Sequence, residues 1–216
     1  MEQTYAFAVE TVRAPSARAL QAAVLGALPP ARVVRAREGI VIVLVRTGPS
    51  DDARAIAETL RDAIGAEFGD PEVSVGYGGP RERDQALRTL ALHAEHGLLL
   101  GRALNGRGRV TAFRDLGPYC FVLGRPTGEL QSFCAAILGP LADGAQREEL
   151  RTLREFLRAH GSVNAAARAL FLHRNTVRQR LKRIGELVGA DLDDADTRMA
   201  LHLAVLGQSA LEALAS

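Results

Sequence analysis

The stretch AAARALFLHRNTVRQRLKRIGELVGADL, at residues Ala165 to Leu192, is the most informative part of this 216-residue chain for the fold of its C-terminal region. Apolar residues recur in it at helical spacing on both sides of a two-residue interruption. The pattern predicts one helix over Val163–Leu170 and a second that begins at His173 or Arg174 and ends near Val188.

The residues around the interruption suit two helices that pack closely together. Ser162 can cap the first helix, and Gly189 suits the end of the second. Ala166 and Ala167 are small enough to let the two helices approach each other. The larger side chains that fill the space around the Phe171-Leu172 turn and along the second helix are Leu170, Leu172, Val177, Leu181, Ile184 and Val188. The pattern predicts a helix-turn-helix unit.

Two further helices complete an all-α domain. An apolar stripe predicts a helix over about Glu148–His160, ended by Gly161; its members are Leu150, Leu153, Phe156 and Leu157. The fourth helix is expected from about Ala195 to Leu214. We therefore expect an all-α domain at residues 147–216, preceded by a connecting helix and linker at residues 126–146.

Charge is segregated along the chain. Residues 1–146 carry 16 basic and 16 acidic side chains, whereas residues 147–187 carry 10 basic and 4 acidic ones. Between Arg168 and Arg183 there are six basic residues and no acidic one. A solvated helix face normally mixes the two signs, so this segment points to a polyanionic partner.

The second helix of the pair is the predicted recognition helix. With Val177 facing inward, Asn175, Gln179, Lys182 and Glu186 point outward. Asn and Gln can pair with adenine and Arg with guanine in the major groove of DNA. The candidate base-contacting residues are Arg174, Asn175, Arg178 and Gln179. The candidate phosphate-contacting residues are Thr176, Arg180, Lys182 and Arg183.

The first 125 residues read as an α+β domain. Tyr5, Phe7 and Val9 alternate on one face of a strand, and the uninterrupted apolar run from Ile40 to Val45 predicts a central strand covered on both faces. The predicted elements, ordered β-α-β-β-α-β-α-β, are a strand at 4–9, a helix from Ser16 to Leu28 stopped by Pro29-Pro30, a hairpin at 32–46 turning at Arg37-Glu38-Gly39, a helix at 51–68, a strand at 73–77, a helix at 84–104 and a strand at 109–113. A helix at 129–141, followed by a connection at Asp143-Gly144, is expected next.

Other candidate sites have simpler structural explanations. The run from Gly76 to Pro80 lacks the Lys and Ser/Thr of a phosphate-binding loop, so it predicts a strand-to-helix turn that needs positive φ angles. Cys120 and Cys134 lie in apolar stretches and are expected to be buried thiols. His93 and His96 lie three residues apart with no third ligand nearby in sequence, which favours a helix surface over a metal site.

Leu153 to Leu206 resembles the C-terminal DNA-binding domain of the CdaR/PucR family of bacterial transcription regulators. The string HRNTVRxRLxRI, at His173–Ile184, carries the resemblance, together with DTRMALHLAVL at Asp196–Leu206. The bihelical unit also looks like that of the Fis-type proteins, which bind as dimers. This chain differs at Phe171, where many helix-turn-helix proteins carry Gly, and at Gln179, where this family often has Tyr.

The upstream region resembles the GGDEF-like domain that precedes this DNA-binding domain in the same family. The supporting features are the RAREGIVIVLV hairpin, VSVGYG, and the helix from Asp84 before GRVTAF. Where an active cyclase would carry its acidic signature, this hairpin reads Ala36-Arg37-Glu38-Gly39-Ile40, and one carboxylate cannot hold two metals around a triphosphate. We therefore expect no enzymatic activity, no catalytic residue, no cofactor and no metal. The alternative is nucleotide binding or residual nucleotidyl cyclase activity in this domain.

The resemblance and the residues together predict a DNA-binding transcriptional regulator. The expected partners are double-stranded DNA, a second copy of the chain in a homodimer, and RNA polymerase as a contact of the bound regulator. No apolar run reaches the roughly 20 residues that cross a bilayer, so we expect no membrane partner and a cytoplasmic location.

Overall fold

The computed structural model describes residues 2–28, 30–37, 39–142 and 144–215. The chain forms two compact units, the first up to Cys120 and the second over Phe121–Ala215. Pro29, Glu38 and Asp143, which the sequence places at a helix stop, the hairpin turn and a connection, lie outside the described residues. In the described ranges, no helix is both long and apolar enough to cross a membrane.

The first unit is a five-stranded sheet with helices on it, as the sequence predicts. Its elements are β1 (Gln3–Glu10), α1 (Ala17–Ala27), β2 (Ala31–Arg37), β3 (Ile40–Thr47), α2 (Ala53–Phe68), β4 (Ser74–Gly78), α3 (Leu87–Asn105), β5 (Val110–Ala112) and a 3-10 turn at Phe113–Leu116. The strand order is β2-β3-β1-β4-β5. All neighbours are antiparallel except β4 and β5, which are parallel. The predicted central strand is confirmed, because β3 lies between β2 and β1.

One face of the sheet forms an apolar core with α1 and α2. Tyr5, Phe7 and Val9 belong to a buried cluster that also contains apolar residues of α1 and α2. The ring of Phe7 stacks on that of Tyr77 on the neighbouring strand, with centroids 5.9 Å apart. The alternation read from β1 is therefore the one that builds the core.

The glycines of β4 have a different role from the predicted one. Gly76, which the prediction placed in both the strand and the turn, and Gly78, which it placed in the turn, both lie within the strand. Helix α3 packs against them. A Cβ atom on Gly76 would fall 2.0 Å from the backbone nitrogen of Leu98, and one on Gly78 would fall 2.7 Å from Cβ of His93. Both positions need glycine so that the helix can approach the sheet. Gly79, just after the strand, does have a positive φ of +124°.

Two of the element boundaries that differ from the predictions have a local explanation. Helix α3 begins at Leu87 and not at Asp84, because the preceding residues form a turn in which the Gln85 amide donates to the Glu82 carbonyl at 3.1 Å. The last strand ends at Ala112, since Phe113 already belongs to the 3-10 turn.

The two histidines of α3, which the sequence places on a helix surface, are half-buried. The ring of His93 stacks on Phe113 with centroids 4.0 Å apart and planes 8° apart, and His96 lies 6.2 Å from the same ring. Burial lowers the pKa of both imidazoles. Among the described residues, no group of three or more His, Cys, Asp or Glu is placed to hold a metal ion.

The second unit is all-helical, as predicted. The chain enters it through the short α4 (Tyr119–Leu123), and its other elements are α5 (Thr127–Leu138), a 3-10 turn at Gly139–Leu141, α6 (Arg147–Arg158), α7 (Val163–Leu170), α8 (Arg174–Val188) and α9 (Ala195–Ala215). The predicted 129–141 helix begins two residues earlier and narrows to the 3-10 turn at its end. Of the two thiols, Cys134 is buried, as predicted, whereas Cys120 is only half-buried and its Sγ donates to the Phe113 carbonyl.

Candidate nucleic-acid interface

Helix α7 is fixed at both ends by local hydrogen bonds. The Oγ of Ser162 accepts from the amide of Ala165 at 3.3 Å, which confirms the predicted N-cap. The helix ends at Phe171, whose φ of +56° and ψ of +40° are left-handed. The amide of Leu172 then donates to the Ala167 carbonyl at 3.0 Å. The chain thus turns within three residues and enters the next helix.

Helix α8 begins at Arg174, which settles the choice between His173 and Arg174. His173 is the N-cap, and its Nδ1 accepts from the amide of Asn175 at 3.3 Å. Because Nδ1 acts as an acceptor, the ring proton of the neutral imidazole lies on Nε2. At the other end Gly189 has a φ of +64°, as the sequence predicts for a helix end.

The inward face of α8 packs into the core of the unit. Val177 and Ile184 have no solvent exposure, and Leu181 is 7% exposed. The predicted contact positions on α7 and the α6 stripe are also buried; they are Ala166, Ala167, Leu170, Leu150, Leu153, Phe156 and Leu157. Val188, predicted to continue the inward stripe, is only half-buried. One face of α8 is therefore buried in the core along most of the helix.

The opposite face of α8 is open to solvent. All four candidate base-contacting residues, Arg174, Asn175, Arg178 and Gln179, are exposed. Nη1 of Arg178 donates to Oδ1 of Asn175 at 3.3 Å, so these two side chains lie together one turn apart. Within the described ranges, no hydrogen bond or ion pair engages the side chains of Arg174, Gln179 or Lys182.

The candidate phosphate-contacting residues fall into two groups. Lys182 is exposed and has no acidic partner among the residues that the structure describes, and Thr176 is half-buried. Arg180 and Arg183 are instead held by α6: Arg180 lies 3.1 Å from Glu148, and Arg183 lies 3.5 Å from Glu149.

The Arg180 contact extends into the core. Its Nη1 also donates to Oγ1 of Thr152 at 3.2 Å, and Thr152 has no solvent exposure. Oγ1 of Thr152 in turn donates to the Glu148 carbonyl at 2.7 Å. Arg180 thereby links α8 to α6, and only one of its two terminal nitrogens takes part.

Three residues beside the turn were not among the predicted site residues. Asn164, Arg168 and Phe171 are exposed next to the start of α8, and Phe171 is 94% exposed. The sequence signals were the bulky residue at a turn position where many such proteins carry Gly and, for Arg168, its place at the start of the basic run.

Two family models match the chain. Residues 2–99 match the GGDEF-like domain. Residues 150–206 match the PucR C-terminal helix-turn-helix domain. Together these two matches include β1 to β4, most of α3, and the whole of α7 and α8.

Two of the relatives that the chain resembles are named as regulators. The chain is 38% identical over 82 residues to the purine catabolism regulatory protein of Bacillus subtilis, covering 37% of this chain and 15% of that protein. It is 46% identical over 55 residues to the carbohydrate diacid regulator of Escherichia coli, covering 26% of this chain and 14% of that protein. The chain thus spans only a small part of either relative.

Among solved structures, the regulator of polyketide synthase expression from Bifidobacterium adolescentis aligns over 95% of this chain and 85% of that one. Its identity is 22% and its TM-score is 0.41. On the two domain matches and the named relatives, the chain belongs to the PucR/CdaR family of regulators.

Proposed function

We propose that this chain binds duplex DNA in a sequence-specific manner and regulates transcription, with α8 seated in the major groove. One observation carries the proposal. Helix α8 buries Val177, Leu181 and Ile184 while its opposite face presents exposed Arg, Asn, Gln and Lys side chains without an acid among them until Glu186. A helix is about 10–12 Å across, which matches a major groove about 12 Å wide.

The side chains divide between base edges and the DNA backbone. Arg174, Asn175, Arg178 and Gln179 lie on the first turns of α8, the part that reaches base edges in proteins of this kind. The hydrogen bond between Arg178 and Asn175 orients both side chains before DNA arrives. The proposed phosphate contacts are Thr176, Arg180, Lys182 and Arg183.

Arg180 and Arg183 can each contact a phosphate although they pair with glutamates of α6. Arg180 engages Glu148 and Thr152 through Nη1 alone, so its remaining N–H groups can face a phosphate. Arg183 is 60% exposed and pairs with Glu149 at 3.5 Å, a contact loose enough to be exchanged for a phosphate. Both arginines then set the orientation of α8 on the duplex and add positive charge to its exposed face.

A second copy of the chain completes the proposed binding unit. One recognition helix reads only a few base pairs, and two related by a two-fold axis read half-sites about 34 Å apart. The bound dimer would act on RNA polymerase from there. Such a regulator works in the cytoplasm, where bacterial chromosomes lie.

We further propose that the GGDEF-like unit has no catalytic role. Two of its buried carboxylates are paired with arginines: Glu10 lies 2.6 Å from Arg102, and Glu95 lies 2.7 Å from Arg35 and 3.1 Å from Arg37. A third, Asp70, accepts hydrogen bonds from Thr11 and Glu72. A carboxylate held in this way is poorly placed to bind Mg²⁺. Incubation of the chain with nucleoside triphosphates and Mg²⁺ tests this directly, and formation of a cyclic nucleotide would contradict it.

The proposed function is tested by selection from a random duplex pool. The chain is expected to enrich a two-fold symmetric sequence, and fluorescence anisotropy should show tighter binding to that duplex than to a scrambled one. The double variant Arg174→Ala, Arg178→Ala should lose this preference. Arg88→Ala, which removes an exposed arginine of α3, is the matched control and should keep it. Equal binding of the enriched and scrambled duplexes by the unaltered chain would refute the proposal.

A further inference from the structure

Phe171 combines two features that do not serve the fold. Its side chain is 94% exposed, although a phenyl ring is among the most apolar groups of a protein. Its backbone is left-handed, at φ +56°, a conformation that β-carbon-bearing residues adopt at a conformational cost and glycine adopts freely. A glycine would make the same turn and remove the exposed ring. The stability of the unit therefore gives no reason for a phenylalanine at this position.

The surroundings of the ring are basic. Phe171 lines an open concavity of about 520 Å³ together with Asn164, Arg168, His173 and Arg174. Arg168 and Arg174 are exposed, and no acidic residue occurs in the sequence between Glu155 and Glu186. Because the charge on both sides of the ring is positive, the surface complements a polyanion. A protein surface that mixes acidic and basic side chains would match it less well.

The position of the ring along the chain matches the edge of a groove. Phe171 precedes Arg174, the first residue of α8, by three residues, which limits the separation of their Cα atoms to about 11 Å. A DNA groove that admits the first turn of α8 therefore brings its wall close to Phe171. The apolar parts of that wall are the deoxyribose rings and the thymine methyl groups.

We infer that Phe171 is a DNA-contacting residue, whose ring packs on a deoxyribose or thymine methyl at the groove wall while Arg168 and Arg174 flank it. The inference rests on the proposed function and adds an apolar contact to it. The ring is exposed in the free chain because its partner surface belongs to the duplex.

The test is Phe171→Gly, with Phe171→Asn as a second variant because asparagine also tolerates the left-handed region. Both variants should unfold at a urea concentration no lower than that of the unaltered chain. Both should bind the selected duplex at least about tenfold more weakly, the order expected for losing one buried apolar contact. Met199→Ala is the matched control, since it removes an exposed apolar side chain of α9, and it should leave the affinity unchanged.

Two results would overturn the inference. One is unchanged affinity of both Phe171 variants. The other is a change in their sedimentation behaviour with the affinity per binding unit intact, which would assign the ring to contact between copies of the chain. The proposed function fails separately, if the unaltered chain does not distinguish the selected duplex from a scrambled one.

Discussion

Replacing Lys182 by methionine should change how strongly salt weakens DNA binding. Lys182 is exposed on α8, and no acidic residue in the described part of the chain pairs with it. A lysine that neutralises a phosphate releases a condensed counterion, and each such contact steepens the plot of log affinity against log salt by about 0.9. Lys182→Met keeps most of the apolar stem and removes only the charge, so its effect on the slope reports that contact.

The structure sets the size of the expected slope. The basic residues expected at the DNA backbone are three of the proposed phosphate contacts, Lys182, Arg180 and Arg183, of which α6 holds the last two. Arg168, the exposed arginine that flanks Phe171, is counted as a fourth. Four phosphate contacts give a slope of about −3.6 per chain, so a fourfold rise in salt weakens binding by about 150-fold. With Lys182→Met the slope becomes about −2.7 and the same rise weakens binding by about 40-fold.

Fluorescence anisotropy with a labelled duplex at five salt concentrations measures both slopes. Arg88→Ala removes a charge far from α8 in sequence, so its slope should equal that of the unaltered chain. Lys182→Arg keeps the charge and should do the same. A slope shallower than about −1 for the unaltered chain, or one that Lys182→Met does not change, would show that these side chains do not contact phosphates.

Three further predictions concern stability. Leu170→Ala should lower the free energy of unfolding of the helical unit by about 2–5 kcal/mol in urea titrations, because Leu170 is 7% exposed between helices; a negligible loss would show that it does not fill the core. Gly76→Ala should destabilise the first unit by about 1–3 kcal/mol or more, since its methyl would meet the Leu98 nitrogen at 2.0 Å; retention of the wild-type urea midpoint would contradict the close packing of α3 on β4. Burial lowers the pKa of His93 and His96 below the ordinary value of 6.5, so the stability they contribute is complete above that pH and is lost as the pH falls. The urea midpoint of the first unit should therefore drop on acidification from about pH 7.5 to about pH 5.5, and less so with both histidines replaced by glutamine; an equal drop in the double variant would exclude them as the cause.

The helix-turn-helix could be predicted in detail because its signals are local. Ser162 caps the helix that follows it directly, and Gly189 ends the helix that precedes it. The spacing of Val177, Leu181 and Ile184 fixes which side of α8 faces inward, and hence which side remains exposed.

Contacts between distant segments could not be predicted from the sequence. The pairs Arg180–Glu148 and Arg183–Glu149 join residues more than 30 positions apart and depend on how α6 crosses α8. Both arginines therefore looked as free as Lys182 in the sequence, although α6 holds them.

The glycines of β4 were misinterpreted for a similar reason. A glycine-rich run after a strand is typical of a turn, and only the position of α3 shows that Gly76 and Gly78 make room for a helix. The stacking of His93 on Phe113 likewise joins a helix to a segment 20 residues further along the chain. Helical spacing alone placed that histidine on a surface.

The most direct test of DNA reading by α8 is a loss-of-contact measurement on Arg178. The affinities of the unaltered chain and of Arg178→Ala are measured for the selected duplex and for every single base-pair substitution of one half-site. We expect the unaltered chain to discriminate at each contacted position by about 1–3 kcal/mol, and Arg178→Ala to lose discrimination at one position while keeping it at the others. Uniform weakening across all substituted duplexes, or an unchanged pattern, would contradict the claim that this face of α8 reads base edges.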